Sequence, residues 1–196
     1  MRKQKIQLVV LLAAFLLFAL GFYAAKSISA REEEKERAKE AGEYTALSFD
    51  ADDLVKLEIE REDGNLELDF HEGKWSFVKD INLEMEEKDE EKKTYEVNTS
   101  AADEIRDTLA NLTSQNEIAA GEDESEYGLD KPAMTITVTL SDGAAHYVEV
   151  GSLNSMIQAY YIRVDHSDTL YTMSETDHDL LCKTDTDLAQ EVSEES

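Results

Sequence analysis

Residues 6–25 read IQLVVLLAAFLLFALGFYAA, with no charged side chain in twenty positions. No other feature limits the chain as strongly. At helical rise such a run is about 30 Å long, the thickness of a bilayer's hydrocarbon core. Backbone in lipid must bond to itself, and for a single segment only a helix does so. Tyr23 and Lys26 stand where interfacial anchors belong. The competing reading is a cleaved signal peptide, but the run exceeds the usual core of about 7–15 residues. Ser27-Ile28-Ser29 is a poor cleavage site, and no Cys follows to carry a lipid. We expect residues 1–26 to be a transmembrane signal-anchor.

Arg2, Lys3 and Lys5 precede the run and favour a cytoplasmic N-terminus. Lys26, Arg31, Lys35, Arg37 and Lys39 follow it, but most are interleaved with Glu32, Glu33, Glu34, Glu36 and Glu40. They read as partners on a helix surface, with Glu33 and Arg37 spaced i,i+4. The expectation is a single-pass protein of the cell membrane with residues 27–196 extracytoplasmic. The formal charge of −26, from 45 Asp+Glu against 19 Lys+Arg, agrees with a solvated domain. It excludes sequence-independent nucleic-acid binding, which needs a surplus of Lys and Arg. The anchor and its flanks hold four basic residues and no acid, so the rest is more acidic still.

Residues 27–46 lack an apolar stripe and read as a charged juxtamembrane stalk. From Leu54 the period becomes two. Val55, Leu57 and Ile59 alternate with Lys56 and Glu58, Asp63-Gly64 turns, and Leu66, Leu68 and Phe70 answer. A third strand carries Trp75 and Phe77. Residues 84–93, EMEEKDEEKK, form a charged surface excursion. Ser100 and Asp103 resemble a capping-box start for a helix whose stripe is Ile105, Leu109 and Leu112. A short strand is expected around residues 117–119. A second block opens at Tyr127-Gly128-Leu129-Asp130-Lys131-Pro132 and continues through Met134, Ile136, Val138 and Leu140. The turn Asp142-Gly143 follows, then a strand ended by Gly151, and a hairpin over residues 160–173. Ser174 caps a short helix with Leu180 and Leu181. The expected fold is α+β: antiparallel β-meanders and hairpins packed with one main helix over residues 47–183, and an acidic disordered tail over 184–196.

Catalytic signatures are missing: no G-x-S-x-G, no Gly-rich phosphate loop and no H-E-x-x-H. Ser76 and Lys79 match S-x-x-K, but in a strand those positions face opposite sides. His71, His146, His166 and His178 are dispersed, and Cys182 is the only cysteine, so no metal ligand set and no disulfide is expected. Asn98 and Asn111 match the N-glycosylation pattern, the second inside the expected helix. We expect no cofactor and no catalytic residue, with Ser76 and Lys79 keeping a hydrolase as a minor alternative. Tyr147, Tyr160, Tyr161 and Tyr171 gather around Arg163 in sequence. From these, Tyr161, Arg163 and Tyr147 are the candidate interaction surface.

Two stretches, YGLDKPAMTITVTLSDG and AYYIRVDHSDTLYTMS, with VEVGS between them, resemble the bacterial family known as domain of unknown function 4340. The upstream LSFDADDLVKLEIEREDGNLELDFHEGKW is similar too, so the likeness runs from about residue 47 to 181. It implies a membrane-anchored extracytoplasmic protein with a strand-rich α+β domain. It also implies an accessory role, because some relatives are encoded beside ABC-transporter components. No catalytic residues come with it. The expected function is therefore a non-enzymatic, membrane-tethered interaction module. Its expected partners are the bilayer through residues 6–25 and a membrane protein of transporter type. The alternative is a small-ligand-binding domain using the Tyr/Arg face.

Overall fold

Side chains two apart share a face of a strand, so the alternation of Leu57 and Ile59 with Lys56 and Glu58 commits one face of β2 (Leu54–Arg61) to the core. A register shift between Leu54 and Lys56 buries Leu54 rather than the expected Val55. Leu57 and Ile59 are completely buried while the Lys56 and Glu58 side chains are about a third exposed. The computed structural model describes residues 43–62, 64–81, 94–121 and 123–192. The signal-anchor, nearly all of the stalk, the 84–93 excursion, Asp63 and residues 193–196 lie outside the described residues. The chain divides into two compact units, Met1–Glu43 and Tyr44–Ser196. Among the described residues no helix is long and apolar enough to cross a membrane.

The chain order is β1 (Tyr44–Ser48), β2, β3 (Leu66–His71), β4 (Lys74–Phe77), β5 (Tyr95–Val97), α1 (Thr99–Ala110), β6 (Asn111–Ser114) and β7 (Glu117–Ala119). Then come β8 (Met134–Leu140), β9 (Ala145–Asn154), β10 (Ala159–Val164), β11 (Thr169–Ser174), α2 (Glu175–Leu181), α3 (Asp185–Leu188) and β12 (Ala189–Glu191). The fold is α+β. The two strand blocks are one antiparallel sheet, ordered β4-β3-β2-β8-β9-β10-β11-β7. The seam is β2 on β8, with Leu57 opposite Val138 and Ile59 opposite Ile136. All four side chains are fully buried, each worth about 1.5–3 kcal/mol against exposure. Ala102, Ile105 and Leu109 of α1 enter the same core.

Several boundaries differ from the expectation. Asn98, not Ser100, caps α1, its side chain accepting from the Ala101 N–H at 3.2 Å. Asp103 instead accepts from the Trp75 indole at 2.9 Å and pairs with Arg106 at 3.0 Å, tying α1 to β4. The helix stops at Ala110, so Asn111 begins a strand and Leu112 sits opposite Leu47 of β1. Strand β1 thus takes three residues assigned to the stalk. Trp75 is buried as expected, whereas Phe77 is half-buried. Strand β9 does not end at Gly151 but runs on to Asn154.

The expected disordered tail is folded over most of its length. Thr184 and Asp187 make a reciprocal capping box on α3, Leu188 is fully buried, and β12 pairs with β5. The Leu188 carbonyl accepts from the Asn98 N–H at 2.7 Å, which joins the tail to the start of α1. Burial of Leu188, the capping box and the pairing along β5 together oppose the ordering cost of these residues.

Candidate functional site

Alternation splits the tyrosines. Tyr160 and Tyr171 lie on the core face, with Tyr160 opposite Met173 and Tyr171 opposite Ile162. Tyr161 and Arg163 point away from the core, as does Tyr147 on β9. Tyr160 stacks on His178 of α2 at 3.6 Å, nearly parallel. Burial, and after it the charges of Asp179 and Glu175, pushes the Tyr160 hydroxyl above its ordinary pKa.

Arg163 is the centre of the outer face. Its Nε donates to Glu149 Oε2 at 2.6 Å and its Nη1 to Glu124 Oε1 at 2.7 Å. Glu149 is its cross-strand neighbour on β9, so the register itself brings this pair together. The Glu149 hydrogen bond is the main reason the guanidinium is held above its ordinary value. Glu124 comes from a 3₁₀ turn over Glu124–Tyr127 capped by Asp123.

That segment lies against the sheet. Tyr127 meets Tyr161 edge-on at 5.0 Å between centroids. Gly128 takes a left-handed conformation (φ 69°), and a Cβ there would stand 2.8 Å from the Ser152 nitrogen. A Cβ on Gly151 would collide with the Tyr127 carbonyl oxygen. Both positions therefore require glycine, for close backbone approach. Leu129 is buried behind them, and Leu170 and Thr172 of β11 are buried although they share the outward face with Arg163 and Tyr161. The candidate residues Tyr161 and Arg163 thus form a clasp between the Tyr-Gly-Leu segment and strands β9 and β10. The Tyr161 hydroxyl also accepts from Asn154 Nδ2 at 2.7 Å.

Tyr147 stands apart from the clasp. It is 39% exposed and stacks on His166 at 5.5 Å. Asp165 bridges this corner, accepting from the Tyr147 N–H and facing His146 Nδ1, both at 2.9 Å. Among the described residues no group of three or more His, Cys, Asp or Glu side chains could hold a metal ion. Ser76 and Lys79 both line an open cleft of about 680 Å³ between β4 and β5, with Trp75, Phe77, Ile81 and Tyr95. Its position beside an edge strand was not legible in the sequence, since β5 reaches β4 only through the tertiary fold.

A family model described as Domain of unknown function (DUF4340) matches residues 89–191. The matched span contains the whole clasp: Glu124, Tyr127, Gly128, Glu149, Gly151, Tyr161 and Arg163. No curated protein and no solved structure matches the chain.

Proposed function

Because the chain belongs to the family described as Domain of unknown function (DUF4340), we propose that it is a membrane-tethered, extracytoplasmic interaction module. In this reading it is non-enzymatic and serves as an accessory component of an ABC-transporter-type complex. The observation that carries the reading is the uncharged run at residues 6–25 joined to a strongly acidic remainder. The clasp lends support from a second side. The distinctive residues of the Tyr-Gly-Leu and Tyr-Tyr-x-Arg segments are engaged with one another, so their chemistry is accounted for by holding the domain together. The transporter part rests on what the resemblance implies about the gene neighbours of some relatives. A small ligand at Tyr161 and Arg163 would have to displace Glu124 or Glu149 from the guanidinium, giving up charge-assisted hydrogen bonds already made.

Protease shaving of intact cells or spheroplasts tests the topology: residues 44–192 should be digested or released, and full protection would overturn it. Crosslinking followed by pull-down from native membranes tests the module. A stoichiometric membrane-protein partner is expected, and purification free of any partner across several detergents would count decisively against it.

A further inference from the structure

Residues 150–162 contain no Asp, Glu, Lys or Arg, the longest such run among the described residues of a chain that is 33% charged. They form the end of β9, the turn after it and most of β10. At the tip Met156 is 91% exposed, with Leu153 and Ile157 at 42% and 44%. Exposed apolar side chains scattered singly need no explanation, but three on one turn do.

The turn is also fixed in shape. The Asn154 Oδ1 accepts from the Met156 N–H at 3.0 Å while its Nδ2 donates to Tyr161, and Gln158 holds a left-handed φ of 51°. A non-glycine residue is held in that region only where its surroundings fix it. The clasp backs the base of the turn, since Gly128 and Tyr127 lie on Ser152 and Gly151. The apolar tip is therefore presented in a prepared geometry, which lowers the ordering cost of any contact it makes.

Position and charge narrow the partner. Tyr44, where the folded unit starts, pairs with Ser114. The Ser114 hydroxyl is 3.1 Å from that of Thr172. Thr172 pairs with Tyr161, and Tyr161 holds the turn. The tip and Tyr44 are thus at the same end of the fold. Around its base stand exposed acids: Glu126 and Asp130 on the clasp segment and Glu175 at the start of α2, whose N-cap Ser174 faces Ala159. Lys131 is taken by Glu62 at 2.6 Å. Membrane-surface contacts gain from Lys and Arg beside the apolar residues, and this tip has acids there instead.

We propose that the β9–β10 tip, through Met156, Ile157 and Leu153, docks into an apolar socket with a Lys- or Arg-bearing rim on a membrane-bound partner protein. The inference rests on the interaction-module reading and names its contact surface. A photo-crosslinking side chain is placed at Met156 of the full chain in its native membranes, with Asp69 on the outer face of β3 and Tyr147 as further probe positions. Position 156 should give one discrete polypeptide adduct that Asp69 does not. The yield should fall about tenfold or more with Ile157→Asp or, as a second variant, Leu153→Asp. It should also fall as salt is raised, and the adducted partner peptide should be apolar with Lys or Arg adjacent. Thermal melting confirms that each variant is folded. Adducts to lipid alone or to a second copy of this chain overturn the proposal, as do a yield that rises with salt or equal yields at 156 and 69. If Tyr147 or Asp69 captures a partner and 156 does not, the tip proposal falls while the module reading stands; if no position captures one, both fall.

Discussion

The two ends of the sheet obey the same alternation and end differently. In β2 and β3 the face away from the core carries Lys56, Glu58, Glu67 and Asp69, and Lys56 and Glu58 pair across 2.7 Å with about a third of each side chain exposed. In β9, β10 and β11 the corresponding face is covered by the chain itself: Glu124 and Glu149 hold Arg163, Tyr127 lies on Tyr161, and Leu170 and Thr172 are buried. The lesson is that a two-residue period announces a strand only where one face is wet. Strand β11 is buried at Leu170, Thr172 and Met173, which share no single face, so its sequence carries a poorer signal than β2.

The largest expected effects ask whether the two ends unfold together. Leu57→Ala near one end and Ile162→Ala near the other should each cost about 2–5 kcal/mol by chemical denaturation. Both should give one shared transition; two separate transitions in either variant would mean that the β2–β8 seam does not couple the ends. Next in size, Gly151→Ala should cost about 1–3 kcal/mol through collision with the Tyr127 carbonyl. Amide exchange should then quicken over residues 124–129 and stay unchanged in β3. Loss confined to β3 would contradict the clasp. The ion pairs give a smaller contrast. Glu149→Gln weakens a pair whose side chains are both 15% exposed and should cost about 1–2 kcal/mol. Glu58→Gln, at the open end, should stay within about 0.5 kcal/mol.

The smallest effect is a pH response at the folded tail. Hydrogen bonds from the Thr184 backbone, then from its hydroxyl, hold Asp187 below the ordinary aspartate value of 3.8. A carboxyl with a depressed folded pKa contributes stability above its unfolded pKa and loses it as the pH falls through the folded one. The amides of Ala189–Glu191 should therefore lose protection, measured against their intrinsic exchange rates at each pH, below about pH 4. In Thr184→Ala, which removes the hydroxyl half of the box, that acid-induced change should shrink; an unchanged pH response would show that Asp187 is not its source.

Much of the architecture was legible because its causes are local. The alternation in β2 and β8, the Asp142-Gly143 turn, the short strand at residues 117–119 and the Ser174 cap all depend on a few neighbouring residues. Asn98 was missed as the α1 cap because Ser100 and Asp103 offered an equally good local pattern. The choice was made by Trp75, which claims Asp103 from 28 positions away. The candidate residues were read as a surface for the same reason: Arg163 looks like an available charge until Glu124, 39 positions earlier, is brought beside it.

The amino-acid sequence alone determined the period of the strands, the positions of most turns, the strong negative charge and the uncharged run at residues 6–25. These are properties of short windows, where side-chain direction and turn chemistry act over a few residues. The tertiary structure decided that β2 joins β8 in one sheet and that an acidic tail folds back onto β5. It also decided that Tyr161 and Arg163 clasp the chain's own loop while Met156 is left at the exposed tip. Each of these compares distant segments for one position on the sheet. Such contests are settled by burial and by the pairing of charges across the fold, which no window of sequence contains.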